Sequence, residues 1–337
     1  MITLSPDPLQ PDEWQKQLAR AVTDPAELID TLELPRALLP AARQAAASFP
    51  LRVTRHYLGL IRPRDPTDPL LRQVLPVHAE TLPAHGYLQD PVGDEAAALG
   101  GGVLHKYRGR ALLITTGACA IHCRYCFRRH YPYGEDNAVR HWSRMLESLR
   151  ERTDISEVIL SGGDPLSLSD ARLQDLVDEL GRIPQLQRLR VHSRLPVVLP
   201  DRVTPALTRL LASSRLDCSM VVHCNHPNEL HAALRGPLQQ LRDDAGITLL
   251  NQSVLLAGVN DQVSTLVRLS EKLFSFGVLP YYLHLLDPVR GAAHFDVDAC
   301  RAHQIENGLR ERLPGYLVPR MVREIPGQPS KTPLDKM

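Results

Sequence analysis

Lysine is scarce in this 337-residue sequence, and two features of other common protein classes are missing. Of the 39 basic residues, only five are lysine: Lys16, Lys106, Lys272, Lys331 and Lys336. Any chemistry that requires a lysine amine therefore has few candidates. The basic residues are balanced by 38 acidic residues, which argues against a dedicated nucleic-acid-binding protein. No run of 18 apolar residues occurs, so the sequence predicts no membrane-spanning helix.

The start of the sequence also lacks a targeting pattern. Its first residues, MITLSPDPLQPDEW, do not show the basic and then apolar segments of a secretory signal, so we expect a cytoplasmic protein. With 43% hydrophobic and 23% charged residues, the composition is that of a globular protein with a sizeable core. The length allows two ordinary domains, or one barrel-like domain of about 250 residues with an N-terminal appendage.

From residue 111 onward, short β-rich runs alternate with helical runs. The predicted strands are 111–116, 157–161, 188–192, 217–223, 248–256 and 280–286. The predicted helices between them are 138–152, 169–183, 204–213, 227–245 and 262–276. This alternation indicates an α/β fold with a parallel sheet, and six strands suit a partial (βα)6 TIM-like barrel. In such barrels the chemistry is expected at the C-terminal ends of the strands.

The residues before this region predict an N-terminal, mainly helical extension. Helices are indicated at 11–22, 25–32 and 35–48, and a proline-rich irregular segment follows at 60–91. The stretch GDEAAALGGG at 93–102 is typical of a loop. We therefore divide the chain into an extension over 1–104, a barrel over 105–290 and a C-terminal segment over 291–337.

Three of the six cysteines lie within eight residues, after the first predicted barrel strand: Cys119, Cys123 and Cys126. Such clustering in an apparently cytosolic chain favours metal or cluster binding over disulfides. A 4Fe-4S cluster normally takes four thiolates, so three would leave one iron open to a small molecule. S-adenosylmethionine suits that position through its amino and carboxylate groups, and it is a source of radical chemistry.

The alternative for this motif is a zinc site in which His122 or His130 adds a fourth ligand. Zinc sites of this type usually pair C-x2-C with a second, more distant pair, which is missing here. The other cysteines are scattered, and we expect them to be small buried residues rather than ligands: Cys218, Cys224 and Cys300.

The C-x3-C-x2-C motif, with Tyr125 before its last cysteine, resembles the radical S-adenosylmethionine superfamily. The turn after the second predicted strand is similar to the superfamily's glycine-rich turn, which implies that Gly162, Gly163 and Asp164 contact S-adenosylmethionine. An ordinary strand-to-helix loop, with Asp164 at the helix start, is the alternative. Further candidates for the same pocket are His192, Arg194 and Gln252.

Four longer phrases resemble one branch of this superfamily, the lysine 2,3-aminomutase family. They are RVHSRLPVVLPDRVT (190–204), HCNHPNE (223–229), LLNQSVLLAGVND (249–261) and LLDPVRGAAHF (285–295). The family also uses pyridoxal 5′-phosphate, held as a Schiff base on a lysine. Lys331, in the phrase REIPGQPSK, matches that catalytic lysine, and a solvated tail lysine is the alternative. Tyr107 and Arg110 match positions that contact the pyridoxal cofactor and its phosphate.

The resemblance also implies substrate-binding residues. Arg128 matches the arginine that binds the substrate carboxylate, which suits a planar guanidinium. Asp287 matches an acid that binds the side-chain ammonium of lysine, with a helix cap as the alternative. Glu324 stands where the family usually has a second aspartate. The implied reaction is the isomerisation of L-lysine to (R)-β-lysine, started by a radical formed from S-adenosylmethionine with electrons from an electron donor.

The chain ends six residues after Lys331, and PGQPSK replaces a run of glycines. These features resemble the bacterial branch that supplies (R)-β-lysine for modification of translation elongation factor P by a separate ligase, and we expect that functional link. The alternatives are a catabolic or osmolyte-forming lysine 2,3-aminomutase, a radical enzyme that does not use pyridoxal phosphate, and a non-catalytic zinc-binding module.

Overall fold

The computed structural model describes residues 13–134 and 137–336. Its centre is one sheet in which the strands are neighbours in chain order. The strands are β1 Ala98–Gly100, β2 Val103–Tyr107, β3 Arg110–Thr116, β4 Glu157–Gly162, β5 Arg188–Ser193, β6 Asp217–His223, β7 Thr248–Val254, β8 Leu279–His284, β9 Arg320–Arg323 and β10 Thr332–Pro333. Strands β3 to β9 run parallel, and β1, β2 and β10 pair antiparallel at the two ends.

In the described residues, the first five α-helices precede the sheet and the later ones connect its parallel strands, as the alternating pattern predicts. The α-helices are α1 Glu13–Ala19, α2 Pro25–Thr31, α3 Leu39–Ser48, α4 Arg55–Leu58, α5 Pro69–Arg72, α6 Trp142–Arg150, α7 Asp170–Gly181, α8 Leu195–Val198, α9 Pro205–Ala212, α10 Ala232–Asp243, α11 Val263–Ser275 and α12 Ala299–Arg312. The six predicted barrel strands and the five helices between them are confirmed. The α/β barrel-like class is therefore confirmed as well.

Helix α7 illustrates why these segments fold as they do. The Ser169 hydroxyl accepts a hydrogen bond from the backbone N–H of Arg172, which caps the first turn. Buried apolar residues then recur three or four positions apart, at Leu173, Leu176 and Leu180. One face of the helix therefore packs on the sheet while the polar face meets solvent.

Two parts of the sheet differ from the sequence prediction. The stretch 93–102 is not only a loop, because it contains β1, which pairs with β2. Gly100, Gly101 and Gly102 have φ values of +83°, +65° and +73°, which allow the tight reversal between these strands. Strands β2, β10 and β9 were also not predicted. Strand β9 is the one that belongs to the parallel part of the sheet. It lies parallel to β8 and extends the barrel by one strand beyond the predicted six.

The N-terminal extension is helical, as predicted, although its first helix begins at Glu13 among the described residues. Residues 1–12, including the first two positions of the predicted helix 11–22, lie outside the described residues. The division at 104/105 and 290/291 stays a prediction, and strands from all three segments join one sheet. Among the described helices, none is both long and apolar enough to span a membrane.

Candidate active site

A cavity of about 490 Å³ is lined by residues from β2 to β8 and from the loops beyond them. It brings together all fifteen site residues predicted from the sequence. They are Tyr107 and Arg110 at the β2–β3 hairpin, Cys119, Cys123, Cys126 and Arg128 after β3, Gly162, Gly163 and Asp164 at the end of β4, His192 and Arg194 at the end of β5, Gln252 on β7, Asp287 after β8, Glu324 after β9 and Lys331 before β10.

The cavity is not confined to the C-terminal ends of the strands. Tyr107 and Arg110 pair across the β2–β3 hairpin, and Arg110 is the first residue of β3. The Arg110 guanidinium carbon lies 4.7 Å from the centre of the Tyr107 ring. The loop after β3 that carries Cys119, Cys123 and Cys126 is called the cysteine loop. The site therefore extends from this loop at one end of the barrel to the Arg110 guanidinium at the other.

The cysteine loop and the glycine turn after β4 pack directly against each other. The Gly163 N–H donates to the Thr116 carbonyl at 2.6 Å, and the Asp164 N–H donates to the Ala118 carbonyl at 2.8 Å. A Cβ atom on Gly163 would lie only 2.4 Å from the Ala118 oxygen, so no side chain fits there. The two motifs therefore form one unit.

The Asp164 carboxylate is occupied by protein donors. It accepts hydrogen bonds from Leu166 N at 3.0 Å, Ser193 Oγ at 2.7 Å, Arg194 N at 2.8 Å and Leu195 N at 3.0 Å. Burial raises the pKa of Asp164 to about 6, although these hydrogen bonds oppose the rise. The side chain thus caps the turn after β4 and joins it to β5, which is the structural alternative considered for this residue.

The three loop cysteines suit an iron–sulfur cluster. All six cysteines of the chain are free thiols. Burial raises the pKa of Cys119 and that of Cys126, the latter to about 11, so cluster binding must displace protons from these thiols. A multi-iron cluster binds each thiolate at a different iron, which does not require the three sulfur atoms to surround one ion.

The zinc alternative has less support. His122 Nδ1 lies 2.9 Å from the Pro50 carbonyl, and His130 Nε2 lies 3.2 Å from the Arg290 carbonyl. Within residues 13–134 and 137–336, no group of three or more His, Cys, Asp or Glu side chains is arranged to hold a metal ion. Of the other cysteines, Cys224 is buried and Cys218 half-buried, as expected, but Cys300 is exposed on α12.

Lys331 faces the cavity and is not a solvated tail residue. Its side chain is 22% exposed, and its ammonium donates to Glu324 Oε2 at 2.6 Å. A second lysine, Lys106, reaches the other oxygen of the same carboxylate at 2.7 Å. No sequence motif singles out Lys106. Its partners Val92, Asp94 and Glu324 are distant from it in the chain, and Asp94 lies in the stretch predicted to be a loop.

The two carboxyl groups at this end of the cavity have opposite pKa shifts. Burial alone would raise the pKa of Glu324, but the ammonium groups of Lys331 and Lys106 lower it to about 2. Burial raises the pKa of Asp287 to about 7, and the negative charge of Glu324 contributes to that rise. The Asp287 carboxyl therefore ionises readily when a further cation binds beside it.

Several buried polar atoms face the cavity without a protein partner. In the described part of the chain, Tyr107 Oη, His192 Nε2, His284 Nε2 and Asp287 Oδ1 are buried and accept or donate no hydrogen bond. Burial also lowers the pKa of His192 and that of His284 well below 6.5, so both rings are neutral. Unpaired buried groups are costly, and these fit a polar cofactor and substrate that would supply their partners.

Arg128 is already held along one edge by a carboxylate. Its Nε donates to Asp94 Oδ2 at 2.6 Å, and its Nη1 donates to Ser161 Oγ at 3.1 Å. Asp94 Oδ1 pairs with Lys106 at 2.5 Å. Charges of alternating sign therefore connect Arg128 to Lys331 through Asp94, Lys106 and Glu324. Asp94 was missed because it lies in the stretch interpreted as a loop.

This fold and this cysteine loop define a radical S-adenosylmethionine enzyme, and the sequence model of the Radical SAM superfamily matches residues 113–242. The chain belongs to the L-lysine 2,3-aminomutase family. It is 48% identical to the L-lysine 2,3-aminomutase of Escherichia coli (strain K12), over 96% of this chain and 95% of that protein. The protein of the same name from Haemophilus influenzae is 45% identical over 95% and 94%, and that from Clostridium subterminale is 35% identical over 96% and 78%.

Membership of this family implies an isomerase with a 4Fe-4S cluster, S-adenosylmethionine and pyridoxal 5′-phosphate. The chain supplies groups that suit each of them: three free thiols, a glycine turn beside the thiols, and a cavity lysine with unpartnered polar atoms around it.

Proposed function

We propose that this protein converts L-lysine to (R)-β-lysine by exchanging the α-amino group with a β-hydrogen. The observation that carries the proposal is that the three loop cysteines, Lys331 and two acidic side chains line one cavity of about 490 Å³. When bound, the cluster with S-adenosylmethionine supplies a carbon-centred radical, and pyridoxal phosphate supplies electron delocalisation for the substrate radical. The protein binds and orients these groups and limits the access of water.

We assign the following roles to the residues of this chain. Cys119, Cys123 and Cys126 ligate the cluster, and Arg128 binds the substrate carboxylate with the guanidinium edge that Asp94 leaves open. Asp287 and Glu324 bind the side-chain ammonium. The S-adenosylmethionine pocket is formed by Gly162, Gly163, His192 and Gln252, and the pyridoxal phosphate contacts are Tyr107 and Arg110.

The hydrogen bonds around the two cavity lysines favour Lys331 as the residue that attaches pyridoxal phosphate. The Lys106 ammonium donates hydrogen bonds to Val92 O and Glu324 Oε1 and forms an ion pair with Asp94 Oδ1. Lys331 has one acceptor, Glu324 Oε2, among the residues that the structure describes. Because fewer contacts hold the Lys331 amine, its side chain is the freer of the two to reach a bound cofactor.

We further propose that the product serves the modification of translation elongation factor P by a separate ligase. The support is the PGQPSK sequence before the cofactor lysine, which resembles that branch of the family. This role implies a cytoplasmic protein and a low-potential electron donor. Deletion of the gene should remove the β-lysyl mass from elongation factor P, and added (R)-β-lysine should restore it. An unchanged mass would favour the catabolic or osmolyte role.

The test of the enzymatic proposal is an anaerobic assay with L-lysine, S-adenosylmethionine, pyridoxal phosphate and dithionite, followed by chiral separation of the product. We expect (R)-β-lysine, and no β-lysine from Lys331→Ala. If S-adenosylmethionine is cleaved but no β-lysine forms, the substrate assignment is wrong. Zinc without iron or sulfide in the anaerobically purified protein would reject the radical chemistry altogether.

A further inference from the structure

Arg194 lies beside the cysteine loop, and neighbouring side chains accept hydrogen bonds from its Nη1 and Nη2. Its Nη1 donates to Cys123 Sγ at 2.7 Å and to Tyr125 Oη at 2.7 Å. Its Nη2 donates to Gln73 Oε1 at 2.7 Å and to Glu229 Oε2 at 2.9 Å. The side chain is 6% exposed and that of Glu229 is fully buried.

The residues around Arg194 are themselves fixed. Glu229 Oε1 accepts hydrogen bonds from the backbone N–H groups of Asn225 and His226, both at 3.0 Å. Asn225 Nδ2 donates to Tyr125 Oη at 2.6 Å. Because these groups hold one another, the guanidinium has little freedom to turn away from the Cys123 sulfur.

One donor of this guanidinium remains available. Within the described residues, Arg194 Nε is buried and meets no acceptor. Arg194 lines the same cavity as the three loop cysteines. An unpaired, buried N–H on a charged group next to a cysteine ligand indicates that a further acceptor, such as the sulfur of a bound cluster, belongs there.

We propose that Arg194 is a positioning residue for the cluster, which orients Cys123 and raises the reduction potential of the 4Fe-4S centre. The proposal rests on the cluster ligation assigned above. One-electron reduction of the centre from its 2+ to its 1+ state adds one negative charge, and no proton need be taken up. A fixed cation that donates to a ligand sulfur stabilises the more negative state, most of all in a buried site. Hydrogen bonds to ligand atoms tune metal centres in this way.

Two variants test this role in the reconstituted, full-length protein. Arg194→Gln removes the charge and keeps a polar group, and Arg194→Lys keeps the charge but loses the forked geometry. Dithionite and mediator dyes supply the electrons, and electron paramagnetic resonance measures the reduced cluster at each applied potential, without S-adenosylmethionine. We expect Arg194→Gln to lower the ratio of reduced to oxidised cluster at least tenfold at a given potential, which equals about 59 mV for one electron. Arg194→Lys should fall between this variant and the natural protein.

Arg202→Gln is the matched control. Arg202 is also a fully buried arginine paired with an acid, Asp170, but its guanidinium lies over the Trp14 ring and it does not line the cavity. Its substitution should leave the potential unchanged. An equal shift in Arg202→Gln would overturn the proposal, because the effect would then reflect general loosening of the fold.

Four further outcomes of these experiments also test the role of Arg194. If Arg194→Gln keeps its iron and sulfide and titrates at the natural potential, Arg194 does not tune the cluster. If it weakens S-adenosylmethionine binding without moving the potential, it is a cofactor-pocket residue instead. If Arg194→Gln does not fold, Arg194→Lys alone must still lower the potential for the proposal to stand. A natural protein that assembles no cluster would reject the proposed function itself, which separates the two failures.

Discussion

Two lysines share the Glu324 carboxylate, and the acceptors around each amine give them different chemistry. The Lys106 ammonium donates to Val92 O and Glu324 Oε1 and is ion-paired with Asp94, whereas Lys331 meets Glu324 alone in the described structure. An amine held by several groups is fixed in place, whereas one with a single acceptor can be released by a small movement. The same carboxylate thus fixes one lysine and leaves the other able to react.

This difference predicts which lysine pyridoxal phosphate modifies. Borohydride reduction of the cofactor-loaded protein should place about one pyridoxyl group per chain on the peptide that contains Lys331. Lys331→Ala should abolish the label, and Lys106→Met should retain it. Peptide mass spectrometry locates the label, and a label found mainly on Lys106 would reverse the assignment.

The raised pKa of Asp287 predicts how lysine binding depends on pH. Burial raises the pKa of Asp287 to about 7 in the free enzyme, so its carboxyl is largely neutral below that pH and ionised above it. An ammonium group pairs only with the ionised form. The Kd for L-lysine should therefore fall by about tenfold between pH 6 and pH 8, following the ionised fraction of one group.

Calorimetric titration of the cofactor-loaded protein measures this dependence. Asp287→Asn should bind lysine more weakly and show no such change with pH, because the amide does not titrate. The matched ligand is norleucine, which lacks the side-chain ammonium and should bind with little pH dependence in both proteins. A pH profile of Asp287→Asn identical to that of the natural protein would assign the titration to another group.

At the scale of secondary-structure elements, the cysteine loop and the turn after β4 depend on each other. The Gly163 and Asp164 N–H groups bond to the Thr116 and Ala118 carbonyls, and Gly162 has a φ of +122°, which L side chains rarely adopt. The turn therefore sets the path by which the chain leaves β3 toward Cys119.

Gly163→Ala should displace the cysteine loop, because its Cβ atom would lie 2.4 Å from the Ala118 oxygen. We expect reconstituted protein to hold at most about half the natural iron and sulfide, and to lose stability by roughly 1–3 kcal/mol, as overpacked sites do. Gly181→Ala is the control, because outside its chain neighbours and its own helix backbone no described atom lies within 4 Å of the position its Cβ atom would take. Equal iron content in both variants would show that the loop does not need this contact.

The strands and helices of the barrel were predictable because the pattern of apolar residues that defines each of them lies within its own segment. Helix α7 carries its cap and its apolar stripe within twelve residues. Strand β9 was not predictable in the same way, since its four residues, Arg320–Arg323, are defined as a strand by their pairing with β8 and β10. Asp94 and Lys106 were missed for the same reason, because their significance lies in ion pairs with Arg128 and Glu324 rather than in any motif.

At the scale of the whole molecule, the N-terminal extension holds the cysteine loop in place. Glu80 accepts hydrogen bonds from Arg124 Nε at 2.9 Å and from Arg129 Nη2 at 2.8 Å, and both arginines lie in the cysteine loop. The side chains of Glu80 and Arg124 are fully buried, and that of Arg129 is 2% exposed. The extension is thus part of the site's support, since one carboxylate balances two buried cations.

Glu80→Gln should destabilise the whole molecule by roughly 3–5 kcal/mol, because it leaves two buried guanidinium groups without an anion. Urea unfolding of the protein measures this change, and its iron content should fall as the loop loosens. Glu27→Gln is the control, since the Arg55–Glu27 ion pair is 55% and 41% exposed. Its loss should cost no more than about 1 kcal/mol and leave the iron content unchanged. If both variants unfold at the same urea concentration, the extension does not support the loop through Glu80.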